Sequence, residues 1–458
     1  MSADGIRGFR ERPGGARRLA FASKQSGTPA AARRGRRRVD AATTGVNAVP
    51  EARRGRAKTL GTDGGIDLTP SGNHVSARTM EVQAAQGGTC AGKCTGAVAC
   101  TQCRSARIDE CIAIERVKKL FGAAYASVRP HSDAAAIAAV HAALLEQGDS
   151  VLMPLGADDG LWHRCAPGGK AFKTVAYRLK AHSGEIDYAK LRALTRLHKP
   201  RVVFARYSEV CQTLHVSTLR TIADEVGAYL HIDVAHVAGL IAAGLYPNPV
   251  AVADVVTAAT DGSLRGLPGG VILARFHPEL EDRFRHAVAA EEACRLDGAM
   301  VAAKAQTFKE ALDAGFVAYQ CRVIANARAM LETFAARGHA VAGTGNHDAA
   351  FVVRLDSDDS AMRALSRLRR AGMHADVLLQ CPVAGSGIRI GASAITTRGF
   401  ALADAAVVAT LMCDLLEWPD DAAVLARVRK VISRLCKRYP VPAGAPHSRT
   451  SMHIPDCP

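Results

Sequence analysis

The chain has 458 residues, 48% of them hydrophobic, and a formal net charge of +16. That length and apolar content suit two or three soluble domains around a large core, and no uninterrupted apolar run approaches the roughly 20 residues of a membrane-spanning helix. The charge does not describe a folded nucleic-acid-binding face, because residues 1–60 carry 15 Lys or Arg against 4 Asp or Glu, whereas the remainder carries 44 against 39.

Residues 1–63 read as a disordered Arg-rich tail around Arg33-Arg34-Gly35-Arg36-Arg37-Arg38 and Arg53-Arg54-Gly55-Arg56, with almost nothing apolar to bury. A solvated extension, an organelle presequence and a nonspecific phosphate-binding arm all suit such a segment. The expected location is cytoplasmic, or an organelle if residues 1–60 are a presequence. Thirteen cysteines without a hydrophobic secretory signal point to a reducing compartment. Cys90, Cys94, Cys100 and Cys103 follow the spacing C-x3-C-x5-C-x2-C. Four thiolates could hold zinc or an iron–sulfur cluster, but one C-x2-C knuckle matches no common metal module, and free loop thiols are the plainer reading.

From about Gly64 the pattern alternates between helix and strand. Strong helix formers from Asp133 to Gln147 predict a helix stopped by Gly148, followed by a short buried strand from Ser150 to Pro154. Apolar runs at Arg201 to Ala205, Tyr229 to Val234 and Asp254 to Thr260 have strand length, and helices such as Ser217 to Glu225 separate them. This alternation predicts parallel crossover units, an α/β class with helices on both faces of a sheet. The last third differs. Strands at Phe351 to Leu355 and Ile388 to Gly391 sit among helices at Ser360 to Gly372, Leu402 to Trp418 and Ala422 to Arg438, which predicts a smaller α+β domain.

One segment is the most specific: Leu230-His231-Ile232-Asp233-Val234-Ala235-His236-Val237-Ala238-Gly239-Leu240, followed by Asp254 to Gly266. With Ala113 to Gly122, Pro130-His131-Ser132, Gly239 to Val250 and Ser386-Gly387-Ile388-Arg389-Ile390-Gly391 through Arg398-Gly399-Phe400, it resembles serine hydroxymethyltransferase over about Ile66 to Pro442. The resemblance implies a fold-type-I pyridoxal phosphate transferase. Its large domain, at 64–290, has a doubly wound, mostly parallel seven-stranded sheet. A small α+β domain follows at 291–445, then a C-terminal tail at 446–458. It implies one-carbon transfer between serine and tetrahydrofolate, and a homodimer or a hetero-oligomer with an active homologue. Neither a membrane nor, apart from the tail, a nucleic acid is an expected partner.

The same resemblance assigns roles residue by residue. Asp233, at the end of a buried strand, would pair with the protonated pyridine nitrogen of the cofactor, although a strand-end Asp also caps turns unaided. His236 would lie near the cofactor, where an unassisted reading makes it a satisfied core histidine. Ser132 opens a helix whose free N–H groups could hold the cofactor phosphate, and Ser208 would touch the ring oxygen. Arg389 would grip the substrate carboxylate through a two-pronged hydrogen bond, or serve a structural ion pair.

The departures are as telling. The family's cofactor lysine, in T-T-T-T-H-K-T-L-R-G, is Gly262, and the histidine before it is Asp261, so no amine can carry the cofactor covalently. The general-acid glutamate of Y-A-E-G-Y-P-G-K-R-Y-Y-G-G falls at Gly92, and the ring-stacking histidine of H-G-G-H falls at Leu161. The phosphate loop Gly-Gly-Gln-Gly-Gly becomes Glu291-Glu292-Ala293-Cys294-Arg295, Ser-Gly-Ser becomes Ser132-Asp133-Ala134, and A-S-E-N becomes Pro70-Ser71-Gly72-Asn73. Each change removes a separate requirement, so the sequence predicts a pseudoenzyme. The alternatives are an active hydroxymethyltransferase holding its cofactor noncovalently, and a metal or redox protein built on the cysteine loop.

Overall fold

The computed structural model describes residues 65–85, 101–155, 172–180, 185–207, 214–291, 296–342, 349–381 and 385–442. Two sheets carry the architecture. The first has seven strands in the order β2-β8-β7-β6-β5-β3-β4: β2 is Tyr125–Ser127, β3 Ser150–Pro154, β4 Lys173–Tyr177, β5 Val202–Arg206, β6 Tyr229–Asp233, β7 Val255–Ala259 and β8 Gly270–Ala274. The pairings from β4 through β7 are parallel, and only β8 runs against its neighbours. The sheet is therefore the expected mostly parallel one.

Alternate side chains show why its central strands read as continuous apolar runs. Val202 and Phe204 point to a core layer shared with Ile137, Val140, Leu280 and Phe284 from the Asp133–Leu144 and Pro278–Glu291 helices. Val203 and Ala205 point to the other face, against Val117, Leu219, Ile222 and Phe308. Burial on both faces keeps polar residues few within these strands, and the buried His231 and Thr257 are hydrogen-bonded to each other.

The second sheet is antiparallel, in the order β12-β13-β10-β9, with β9 Val341–Ala342, β10 Ala350–Leu355, β12 Asp376–Cys381 and β13 Gly385–Gly391. The Asp358–Arg370, Leu402–Glu417 and Ala422–Arg438 helices cover it. The short β1, Ile66–Asp67, pairs in parallel with β11, Met373–His374, so Ile66 and Leu68 join this C-terminal core. The Ala314–Ala336 helix serves both cores, giving Phe316 and Ile324 to one and Val323, Met330 and Phe334 to the other.

Most element positions match the sequence reading within a residue or two, and two differences have physical causes. The helix expected to reach Gln147 stops at Leu144. Leu145 turns extended to bury itself, and the Asp149 carboxylate accepts the Glu146 N–H at 2.8 Å, so a turn forms with Gly148 inside it at φ +90. The strand expected to end at Ala205 continues through Arg206, and that extra residue governs the site.

No helix among the described residues is long and apolar enough to cross a membrane. Residues 1–64 and 443–458, with both expected tails, lie outside the described residues, as do Cys90, Cys94 and Cys100; the Cys103 side chain is likewise undescribed.

Candidate functional site

The carboxyl edge of a parallel sheet is where its strands deliver polar residues to a crevice. Here three strand residues stand side by side in register, Arg206 against Asp233 and Asp233 against Thr257. Asp233 is fully buried. Its Oδ1 accepts the Thr257 hydroxyl at 2.9 Å and its Oδ2 accepts the Arg206 Nε–H at 2.9 Å. A buried carboxylate needs a countercharge, and Arg206 supplies it from the adjacent strand.

Thr257 continues this row into the core. An ionised carboxylate only accepts, so the Thr257 hydroxyl donates to Asp233 and its oxygen accepts from His231 Nε2, 3.1 Å away. His231 Nδ1 then accepts from His141 Nε2 at 3.3 Å. Both rings are buried, and burial drives both pKa values down, that of His141 to about 3. The pair is held neutral, and every proton in the chain points toward Asp233.

Around Gly262 the backbone is tightly tied. The 3-10 turn Gly262–Leu264 begins at φ +53 and closes at Arg265, also in the left-handed region at φ +62. Asn73 Nδ2 donates to the Gly262 carbonyl at 2.7 Å and to the Tyr319 hydroxyl at 2.9 Å, while the Thr397 hydroxyl donates to Asn73 Oδ1 at 2.7 Å. The Arg265 guanidinium lies over the Tyr319 ring, 4.7 Å from its centroid. A side chain built on Gly262 would start 3.2 Å from the Ser71 carbonyl, in a conformation that L-residues rarely adopt.

The next residue of the turn locks it to the preceding Ala238–Ala242 helix and to the Ala314–Ala336 helix. Ser263 Oγ accepts the Gly239 N–H at 3.0 Å, and Gln320 Nε2 donates to the Ser263 carbonyl at 2.7 Å. A Cβ on Gly239 would sit 2.2 Å from that same carbonyl. Gly239→Ala is therefore expected to cost about 3 kcal/mol, the upper range for overpacking against an immobile backbone. Chemical denaturation checks this, and a loss below about 0.5 kcal/mol would contradict the contact.

Ser132 is the N-cap of the Asp133–Leu144 helix, its Oγ accepting the Ala135 N–H at 3.1 Å. That hydroxyl already serves the protein. Burial pushes the Asp261 carboxyl above its ordinary range, the nearby Asp133 charge acts in the same direction, and His236 opposes it. Asp133 follows Ser132 directly at the start of its helix, and a carboxylate there repels a dianion. A Cβ on Gly72, where the family has glutamate, would lie 2.2 Å from Thr69 Oγ1 and 2.3 Å from Asp67 Oδ2, so these side chains would have to shift to admit one.

Arg389 stands apart from this row, on β13 opposite Asp376 of β12. It is 8% exposed, and its Nη2 donates to Asp376 Oδ2 at 2.9 Å. Arg389 and Asp376 thus form an ion pair across the two strands. Ser208, Gly92 and Leu161 lie outside the described residues.

Sequence reasoning missed Arg206 as an electrostatic partner, and Asp376 altogether. The available signal was positional: two successive apolar strands of a parallel sheet, each ending in a residue of opposite charge. Among the described residues, His339, Cys413 and Glu417 bring potential ligand atoms within 4.8 Å of one another. Glu417, however, is already ion-paired to Arg337, and burial pushes the Cys413 thiol up to about 12, so this group reads as an ion-pair cluster. A basic cleft of about 510 Å³, lined in part by Lys173, Lys199 and Arg201, opens at the amino ends of β3, β4 and β5, at the opposite edge from this chemistry.

Comparison with known proteins shows the family of the chain. The family described as serine hydroxymethyltransferase matches residues 56–412. The chain is 41% identical to the serine hydroxymethyltransferase of Methylococcus capsulatus over 357 residues, covering 75% of this chain and 84% of that protein. It is 43% identical to serine hydroxymethyltransferase 1 of Pseudomonas putida over 350 residues, covering 72% and 82%, and 42% identical to serine hydroxymethyltransferase 1 of Pseudomonas aeruginosa over 348 residues, with the same coverage. With its sheet, its C-terminal domain and its strand-end aspartate in place, the chain belongs to the serine hydroxymethyltransferase family.

Proposed function

We propose that this chain is a serine hydroxymethyltransferase scaffold whose hydroxymethyl transfer from serine to tetrahydrofolate is impaired or lost. The observation that carries the reading is Gly262. It occupies the lysine position of the family pattern with a left-handed backbone, its carbonyl bound by Asn73 and its side-chain direction facing the Ser71 carbonyl. Without an amine there, the covalent link to the cofactor cannot form.

The family implies pyridoxal phosphate, and the residues present do not fit it. Both oxygens of Asp233 are engaged within the protein, and the Ser132 hydroxyl caps its own helix. Asp133 is the first residue of the helix that Ser132 caps, and the half-buried Asp261 feels its charge, so acidic groups stand where the cofactor phosphate would have to bind. Asp376 likewise engages Arg389, the residue expected to hold a substrate carboxylate. A role as a partner subunit, in a homodimer or beside an active homologue in the cytoplasm, suits a retained fold with a disabled site.

The test is borohydride reduction of the full-length protein with excess pyridoxal phosphate, followed by mass spectrometry, in parallel with an assay of serine-dependent folate turnover. The expected result is no stoichiometric cofactor-derived mass at a defined residue and turnover at background. Turnover abolished by Asp233→Ala would instead establish an enzyme with noncovalent cofactor. Elemental analysis finding a full equivalent of zinc or iron would favour the cysteine-loop reading.

A further inference from the structure

We propose that Arg206 fills the site from within: its guanidinium occupies on Asp233 the place that a protonated ring nitrogen would need, and so sets a low affinity for pyridoxal phosphate. This rests on the reading of the site as impaired and adds a second, independent cause to the missing lysine.

The position of Arg206 makes it a resident cation. It ends β5 directly beside Asp233 in the parallel register, so its side chain leaves the same sheet edge. Its side chain is 24% exposed and that of Asp233 is 0% exposed, and the Nε–Oδ2 distance of 2.9 Å is that of a charge-assisted hydrogen bond. The guanidinium also lies 5.9 Å from the Phe204 ring centroid, at the outer limit of cation–π attraction. With Thr257 on the other oxygen, the carboxylate is neutralised and hydrogen-bonded without any ligand.

A ligand must displace this arrangement to reach Asp233. A tethered cation acts at the high effective concentration of an intramolecular partner, whereas a free ligand competes at its solution concentration. Leaving Arg206 in place while a second cation approaches the same carboxylate puts two like charges a few ångströms apart. Arg389 shows the same pattern with signs reversed, its guanidinium held by Asp376 across the strand pair. Both residues that the family pattern assigns to charged ligand groups are thus satisfied by partners supplied from the chain itself.

The experiment is equilibrium dialysis of the full chain against pyridoxal phosphate, with thermal melts in the presence and absence of the same compound. Arg206→Ala is expected to bind at least tenfold more tightly than wild type and to gain a cofactor-dependent rise in melting temperature that wild type lacks. The gain should disappear in Arg206→Ala/Asp233→Asn. Should Arg206→Ala fail to fold, Arg206→Gln replaces it: a neutral amide holds Asp233 Oδ2 more weakly and adds no like charge against the ring nitrogen, so a smaller gain of the same sign is expected. Equal affinities of wild type and the folded variant, or a gain that survives Asp233→Asn, overturn the proposal. Dialysis reports noncovalent affinity, so its failure leaves the Gly262 reading intact, while a borohydride-trapped adduct on the wild-type chain removes that reading separately.

Discussion

Lys304→Met is expected to lower the free energy of unfolding by about 3–5 kcal/mol, the usual cost of removing one side of a buried, charge-assisted set of hydrogen bonds. Lys304 lies on the Gly298–Ala311 helix and is 2% exposed. Its Nζ donates to the carbonyls of Val128 at 2.6 Å, Pro130 at 2.6 Å and Gly270 at 2.9 Å. These three groups belong to the segment between β2 and the Asp133–Leu144 helix and to the start of β8. The ammonium thus ties the turn before Ser132 to the sheet. The approach is close enough that a Cβ on Gly269 would lie 2.5 Å from Lys304 Cε, and one on Gly270 would lie 2.0 Å from the Ser132 carbonyl. Methionine restores most of the volume but donates nothing, leaving buried acceptors unpaired. Since whole domains are stable by about 5–15 kcal/mol, such a loss is a large fraction of the total. Denaturant titration measures it, and a loss under about 1 kcal/mol would mean that water or backbone movement replaces the ammonium.

Much of the fold was legible because its strands are buried on both faces. Continuous runs such as Val202 to Ala205 and Val255 to Ala259 have no other physical reading at that length, and each emerged as a strand. Strand ends were less legible. The run read as Arg201 to Ala205 is in fact Val202–Arg206, and Arg206 stays in the strand because Asp233 neutralises it. Propensity gave way to a long-range ion pair between residues 27 apart. The helix end at Leu144 was lost for a similar reason, since burial of Leu145 outweighs continuation of the helix.

The site divides in the same manner. The family pattern pointed to Asp233, and the structure puts it at the carboxyl edge of β6, buried and in register with its neighbours. The partners that occupy Asp233 and Arg389 were not readable, because Asp376 and Arg206 are ordinary charged residues until strand register sets them opposite those positions. The Gly262 substitution was visible in the sequence. Its rigid setting was not, since Asn73 holds the Gly262 carbonyl and is itself held by Tyr319 and Thr397 from two other distant segments.

Acidification should destabilise the protein from just below neutrality, through the two buried histidines. His141 is pushed down to about 3 from an ordinary value of 6.5, and His231 well below the same value. Burial is the first cause for both, and for His231 the facing His141 and the Arg206 guanidinium add to it. His141 also packs edge-on against Phe172 and Phe204, which offer no countercharge. The sign follows from proton binding: below about pH 6.5 the unfolded chain protonates both rings while the folded chain protonates neither, so folding is opposed increasingly as pH falls. The stabilisation is complete above pH 6.5 and is lost through the window from 6.5 toward 3. Each histidine contributes about 1.4 kcal/mol per pH unit within that window, so the pair approaches twice that slope where both are linked. A series of denaturant titrations between pH 7 and pH 4 reads this directly. His141→Phe is expected to roughly halve the slope, because one proton linkage is removed while an aromatic ring of similar breadth fills the space. A slope unchanged by that substitution would place the acid sensitivity elsewhere, and a flat profile in the wild-type protein would mean that water or a shifted ring lets the folded chain take up these protons.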